Sequence, residues 1–167
     1  MQEKIILQYE IEQWLYKEAE LLDELNFDAW YELLDEEIKY IMPLRINQME
    51  ESKPDYSEAT LLFDDDSTTL RLRIDRLKTD MAWAELPPSR TRRNVSNVKI
   101  KEVSGNEVTV RSNLLLYRSR STDTTADLIS GEREDVLRNE NGKWKLVSRW
   151  FLADQTSLAT RNLAIFV

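Results

Sequence analysis

Apolar side chains recur every three to four positions near the start of the chain: Leu7, Ile11, Trp14, Leu15, Leu21, Leu22 and Leu25, with Glu and Lys between them. This period predicts an amphipathic helix over 3–25. Asn26 is suited to cap a second, shorter helix over 26–36 that carries Phe27, Trp30, Leu33 and Leu34. From Ile38 the period falls to two. Ile38, Tyr40, Met42, Leu44 and Ile46 alternate with mostly polar neighbours, which predicts a strand over 37–46. Its Pro43 calls for an edge position or a bulge. Residues 47–66 show neither period and read as irregular, ending in "FDDDS". The triple Asp lacks the ligand spacing and glycine of a Ca²⁺ loop, so it reads as a cap on a third helix over 67–79, with Leu70, Ile74 and Leu77 on one stripe.

A loop with Pro87-Pro88 leads into a second region of alternating pattern over 92–152. Turns fall at "SGN" and at Asn141-Gly142, the dipeptide most suited to a two-residue hairpin. Gly131, inside the third of these strands, suggests a bulge or a close backbone approach. The expectation is a single domain over 1–167 of α+β class, with helices packed on one face of a curved antiparallel sheet and a C-terminal tail over 153–167.

A two-residue turn at Asn141-Gly142 sets Leu137 opposite Leu146, Asp135 opposite Ser148 and Arg133 opposite Trp150. One face of the hairpin then mixes Trp144, Leu146 and Trp150 with Arg133 and Asp135, while Glu134 pairs with Arg149 on the other. Such a face can line a pocket with Asp135 as a base, form a subunit interface anchored by Trp and Arg, or belong to an ordinary sheet. The stretch "NLLLYR" at 113–118 is apolar on both sides, and the tail closes on "NLAIFV". Both ask for more cover than helices on one face provide, which favours a partner chain.

Composition narrows the chemistry. The 167 residues contain no His and no Cys, which removes the usual ligands of zinc, haem, iron–sulfur clusters and non-haem iron. Ser-His-Asp and Cys-His sites are excluded as well. The net charge is −8, concentrated in residues 1–40, where 12 acids face 3 Lys. That balance disfavours nucleic-acid binding, with the cluster "SRTRR" at 89–93 as the dissenting feature. The N-terminal stretch has neither the basic region nor the apolar run of a signal peptide or membrane span, and a cysteine-free chain is compatible with a cytoplasmic location.

The stretches "PPSRTRRNVSNV", "GEREDVLR" and "LADQ…NLAIF" resemble the small (β) subunit of aromatic-ring-hydroxylating dioxygenases, the Rieske non-haem iron oxygenases, and the likeness runs over essentially the whole chain. It is nearer the biphenyl, naphthalene and phenylpropionate branch than the benzoate branch. The resemblance implies a nuclear-transport-factor-like (cystatin-like) cone and a non-catalytic chain without cofactor of its own. It also implies a catalytic α subunit that holds the Rieske cluster and the mononuclear iron, and a hetero-hexamer of three α and three β chains. The assembled enzyme would dihydroxylate an aromatic ring with O₂ and electrons from NAD(P)H. One departure is Arg93, where many members carry His.

On this reading the interface residues are Trp83, Arg90, Arg92, Arg93, Leu115, Tyr117, Arg149 and Phe166. The competing expectation is a stand-alone isomerase or dehydratase on the same fold, with Asp135 and either Tyr117 or Tyr40 inside the cone.

Overall fold

The computed structural model describes residues 2–79, 87–120, 122–158 and 164–167. The chain runs α1 (Gln2–Asp23), α2 (Phe27–Tyr31), β1 (Leu34–Arg45), β2 (Tyr56–Asp65), α3 (Ser67–Leu77), β3 (Arg90–Ser104), β4 (Glu107–Ser119), β5 (Asp127–Glu140) and β6 (Lys143–Ala153). The six strands form one sheet in the order β2-β1-β6-β5-β4-β3. The β1–β6 pairing is parallel and the other four are antiparallel. The result is the expected α+β cone of the nuclear-transport-factor-like kind, with α1 laid against β3.

An apolar stripe accounts for α1, an N-cap for α2, and both together for α3. Along α1, Ile11, Trp14, Leu15, Leu22 and, unexpectedly, Glu18 turn inward. The helix stops before Leu25, which adopts φ 59° and is exposed rather than continuing the stripe. α2 is one short turn, capped by the Asn26 side chain on the Ala29 N–H, and not the longer helix its apolar residues suggest. Leu33 and Leu34 belong instead to the entry into β1, where the Leu33 carbonyl already accepts from Leu146. α3 begins with a capping box: Asp66 accepts from the Thr69 N–H at 2.9 Å, and Thr69 Oγ1 accepts from the Asp66 N–H at 2.9 Å. Asp65 beside it receives Arg73 Nε at 3.0 Å. Two of the three consecutive aspartates therefore have a structural use.

The polar stretch expected to be irregular contains β2. Its pairing with β1 breaks register on either side of Pro43, as it must where the ladder lacks a donor. Since β1 lies between β2 and β6, Pro43 marks a bulge rather than an edge. Asn141 and Gly142 take φ 53° and 83°, the positive pair that a type I′ hairpin turn needs. At Gly131 a Cβ would stand 2.4 Å from the Leu152 carbonyl oxygen and 2.5 Å from the Phe151 ring. Close approach, and not a bulge, is what calls for glycine there.

Candidate functional site

The hairpin β5–β6 departs from a simple two-residue register. Glu140 faces Lys143 and Leu137 faces Leu146, but Val147 is bulged out, so Val136 meets Ser148, Asp135 meets Arg149 and Arg133 meets Phe151. An extra residue reverses the parity of everything beyond it. Arg149 therefore points into the cone beside Asp135, and Trp150, expected on the Asp135 face, turns outward against Tyr56.

Inside, four charged side chains meet with almost no solvent contact: Glu18, Arg133, Asp135 and Arg149. Arg149 donates through Nε and Nη2 to the two carboxylate oxygens of Asp135, at 2.8 and 2.9 Å. It also donates through Nη1 and Nη2 to the two oxygens of Glu18, at 2.8 and 2.7 Å. Trp30 Nε1 adds a third donor to Glu18 at 3.1 Å, and Arg133 Nη1 stands 3.8 Å away. The cluster is balanced, two cations against two carboxylates. Burial by itself would push the Glu18 carboxyl up, yet the Arg149 and Arg133 charges overcome it and hold its pKa below the ordinary value. Burial, and then repulsion from Arg149, lowers the pKa of Arg133, while the facing carboxylates raise that of Arg149 against the cost of burial.

The segment Ala164–Val167 enters this interior. The Val167 N–H donates to Tyr40 Oη at 2.7 Å, the Tyr40 hydroxyl donates back to the Val167 carbonyl, and that carbonyl also receives Arg149 Nη1 at 3.0 Å. The Phe166 ring stacks on Trp30 at 4.4 Å between centroids and meets Phe27 edge-on at 5.8 Å. Its carbonyl accepts from Arg93 Nε and Nη2 at 3.2 and 2.6 Å. Arg93 in turn pairs with Asp23 of α1 at 2.5 Å. A cavity of about 250 Å³ at this end is lined by Leu22, Phe27, Thr91, Arg93, Ile165 and Phe166, among others.

Three residues expected at an interface thus lie inside the chain. Arg93, Arg149 and Phe166 are buried, and the reason is strand parity together with a bound C-terminal segment. On β3, Arg90 and Arg92 face outward while Thr91 and Arg93 face inward. Arg93 directs its guanidinium to Asp23 and the Phe166 carbonyl, inside the chain. Leu115 and Tyr117 are exposed on β4, with Tyr117 directly opposite Arg92. Trp83 lies outside the described residues. The residues that sequence reasoning missed are Glu18 and Asp23. Glu18 had left a signal, since it falls on the same helical stripe as Ile11, Trp14, Leu15 and Leu22.

As chemistry, the two carboxylates of the cluster are closed off by Arg149, while Arg133 Nη2 is buried without a hydrogen-bond partner among the described residues. Both oxygens of the Asp135 carboxylate are taken up by one guanidinium, so neither is left free to accept a proton from a substrate. Tyr40, whose pKa burial raises, is occupied by Val167.

The sequence model of the family described as the ring hydroxylating beta subunit matches residues 17–160. The chain is 41% identical over 167 residues to a benzene 1,2-dioxygenase subunit beta of Pseudomonas putida, covering 96% of this chain and 88% of the relative. It is 39% identical over 166 residues to a biphenyl 2,3-dioxygenase subunit beta of Rhodococcus jostii (strain RHA1), with the same coverage. A solved naphthalene 1,2-dioxygenase with indole bound in its active site contains a chain of the same fold, with TM-score 0.83 and 27% identity over 97% of this chain and 86% of that one.

Proposed function

The chain belongs to the ring hydroxylating beta subunit family, so it is the β subunit of an aromatic-ring-hydroxylating dioxygenase, and we propose that within that oxidoreductase it builds and holds the assembly without reacting itself. The observation that carries the non-catalytic reading is the closed cone. Asp135, the residue a stand-alone isomerase or dehydratase would use, has both oxygens on Arg149, and Tyr40 is held by Val167. The Rieske cluster and the mononuclear iron then belong to an α partner. In this reading the partner dihydroxylates an aromatic ring with O₂ and NAD(P)H-derived electrons, and the complex works in the cytoplasm as a hetero-hexamer of three α and three β chains. None of the described helices is long and apolar enough to cross a membrane.

Purification of the tagged chain from native cells grown on aromatic carbon tests this. The expected result is a larger co-purifying chain, particles of hexamer mass and the red-brown absorption of an iron–sulfur protein. A colourless species with no larger partner would overturn it and return attention to Asp135.

The exposed residues Arg90, Arg92, Leu115 and Tyr117 support a subunit contact on the outer face of β3 and β4. Arg92→Glu reverses a charge that meets solvent in the isolated chain, so folding should be unaffected while the share of β chain recovered in the assembled particle falls. Size-exclusion profiles of wild type and variant, with circular dichroism of the variant, check this. Normal assembly removes Arg92 from the contact.

A further inference from the structure

Among the described residues, two groups of exposed apolar side chains are contiguous, and they carry opposite charge. On α1, Ile5, Tyr9 and Tyr16 lie on one helical stripe and are 64%, 61% and 44% exposed, with Ile6 beside them. Spacings of four and seven residues keep them on the face away from Ile11, Trp14 and Leu15. The helix supplies Glu3, Glu10, Glu12 and Glu20 around this stripe, against Lys4 and Lys17. The second surface is the outer face of the sheet, where Leu115, Tyr117 and Leu128 are 45%, 43% and 48% exposed. Register makes it one patch, because Tyr117 is paired with Leu128 on one side and with Arg92 on the other. Arg90 extends its positive rim. Scattered apolar residues on a surface need no explanation, whereas a contiguous cross-strand group or a helical stripe marks a contact.

We propose that these two surfaces meet between copies of this chain, the α1 stripe of one β subunit packing on the β3–β4–β5 patch of the next. The two surfaces differ, so the contact is head-to-tail, the kind that closes into a ring when the rotation fits. A face-to-face contact would bring Arg90 and Arg92 of two copies together, whereas the head-to-tail contact sets them against the acidic helix. The contact rests on the β trimer within the assembly proposed above, and it supplies that trimer with its surfaces.

The chain has no cysteine, so single thiols can be placed without background from it. Tyr9→Cys and Tyr117→Cys chains, carrying different tags, are co-expressed with the larger subunit, and the purified complex is treated with a short bis-maleimide. The expected product is a β–β species containing both tags, formed when the two variants are present together and absent from complexes made with either variant alone. Linking within the Tyr117→Cys sample alone would mean a face-to-face contact, and linking of Tyr117→Cys to the larger subunit would assign the patch to that partner. Either result overturns the proposal, as does a complex of normal mass that yields no β–β product. The mass of the particle, read before the linker is added, judges the dioxygenase assembly separately. Mixed-tag product without any larger chain would uphold this contact and remove that assembly.

Discussion

Arg149→Leu is expected to destabilise the chain by about 3–5 kcal/mol, a large share of the roughly 5–15 kcal/mol that holds an ordinary domain together. The substitution keeps apolar volume and deletes five hydrogen bonds at once, two to Asp135, two to Glu18 and one to the Val167 carbonyl. Two carboxylates then stay buried with Arg133 as the remaining nearby cation, 3.8 Å from Glu18. The cost lies in the charges left behind more than in the net worth of the pair, because a buried ion pair is dear to break and cheap to replace whole. Adding Glu18→Gln and Asp135→Asn to Arg149→Leu should therefore recover part of the loss.

The pH dependence follows from Glu18. In the wild type its pKa is held below the ordinary 4.5, so its contribution is complete above about 4.5 and is lost as pH falls through the lower folded-state value. In Arg149→Leu, burial without the counter-charge raises the same pKa, and the penalty eases as pH falls. The deficit between variant and wild type should thus be larger at pH 8 than at pH 5. Urea titrations of the purified chain at both pH values, followed by tryptophan fluorescence, check it. A loss below about 1 kcal/mol, the size of an exposed ion pair, would show that the cluster is open to water.

That cluster also marks where sequence reading stopped. Period and turn chemistry were enough to find α1, α3, β1 and the four strands of the meander, since each has an uninterrupted stripe or a punctuating turn. They were not enough for β2, whose Leu61, Leu62 and Phe63 break the alternation and whose pairing slips around Pro43. Register beyond Leu146 was lost to one bulged residue, Val147, which carries no distinctive side chain. From that single slip came the misplacement of Arg149 as a surface anchor. The other two misplacements have a different origin. An arginine among arginines reads as solvated until its carboxylate is known, and the partner of Arg93 is Asp23, 70 positions earlier on a helix that looked acidic and exposed. The apolar tail did ask for cover, as its composition required, but its own cone supplies it.

Phe166→Ala is expected to cost about 3–5 kcal/mol, and it tests how firmly the C-terminal segment belongs to the interior. The ring is 2% exposed and wedged between Trp30 and Phe27, so truncation removes an aromatic stack as well as its buried area. Its carbonyl would still be available to Arg93 and the Val167 carbonyl to Arg149, which leaves the polar anchors in place and isolates the packing term. Phe166→Leu should accordingly retain most of the stability, because it keeps apolar volume against Trp30 while giving up the stack. In the alanine variant the interior acquires a void next to the existing cavity lined by Phe27, Thr91 and Ile165. Near-ultraviolet circular dichroism from Trp30 should weaken before the far-ultraviolet signal does, since the sheet does not depend on this ring. Denaturant midpoints of the two variants beside wild type give the comparison. An alanine variant as stable as wild type would mean that the segment does not occupy the cone in solution. Tyr40 and Arg149 would then be free to face a ligand, and the non-catalytic reading of the interior would lose its main support.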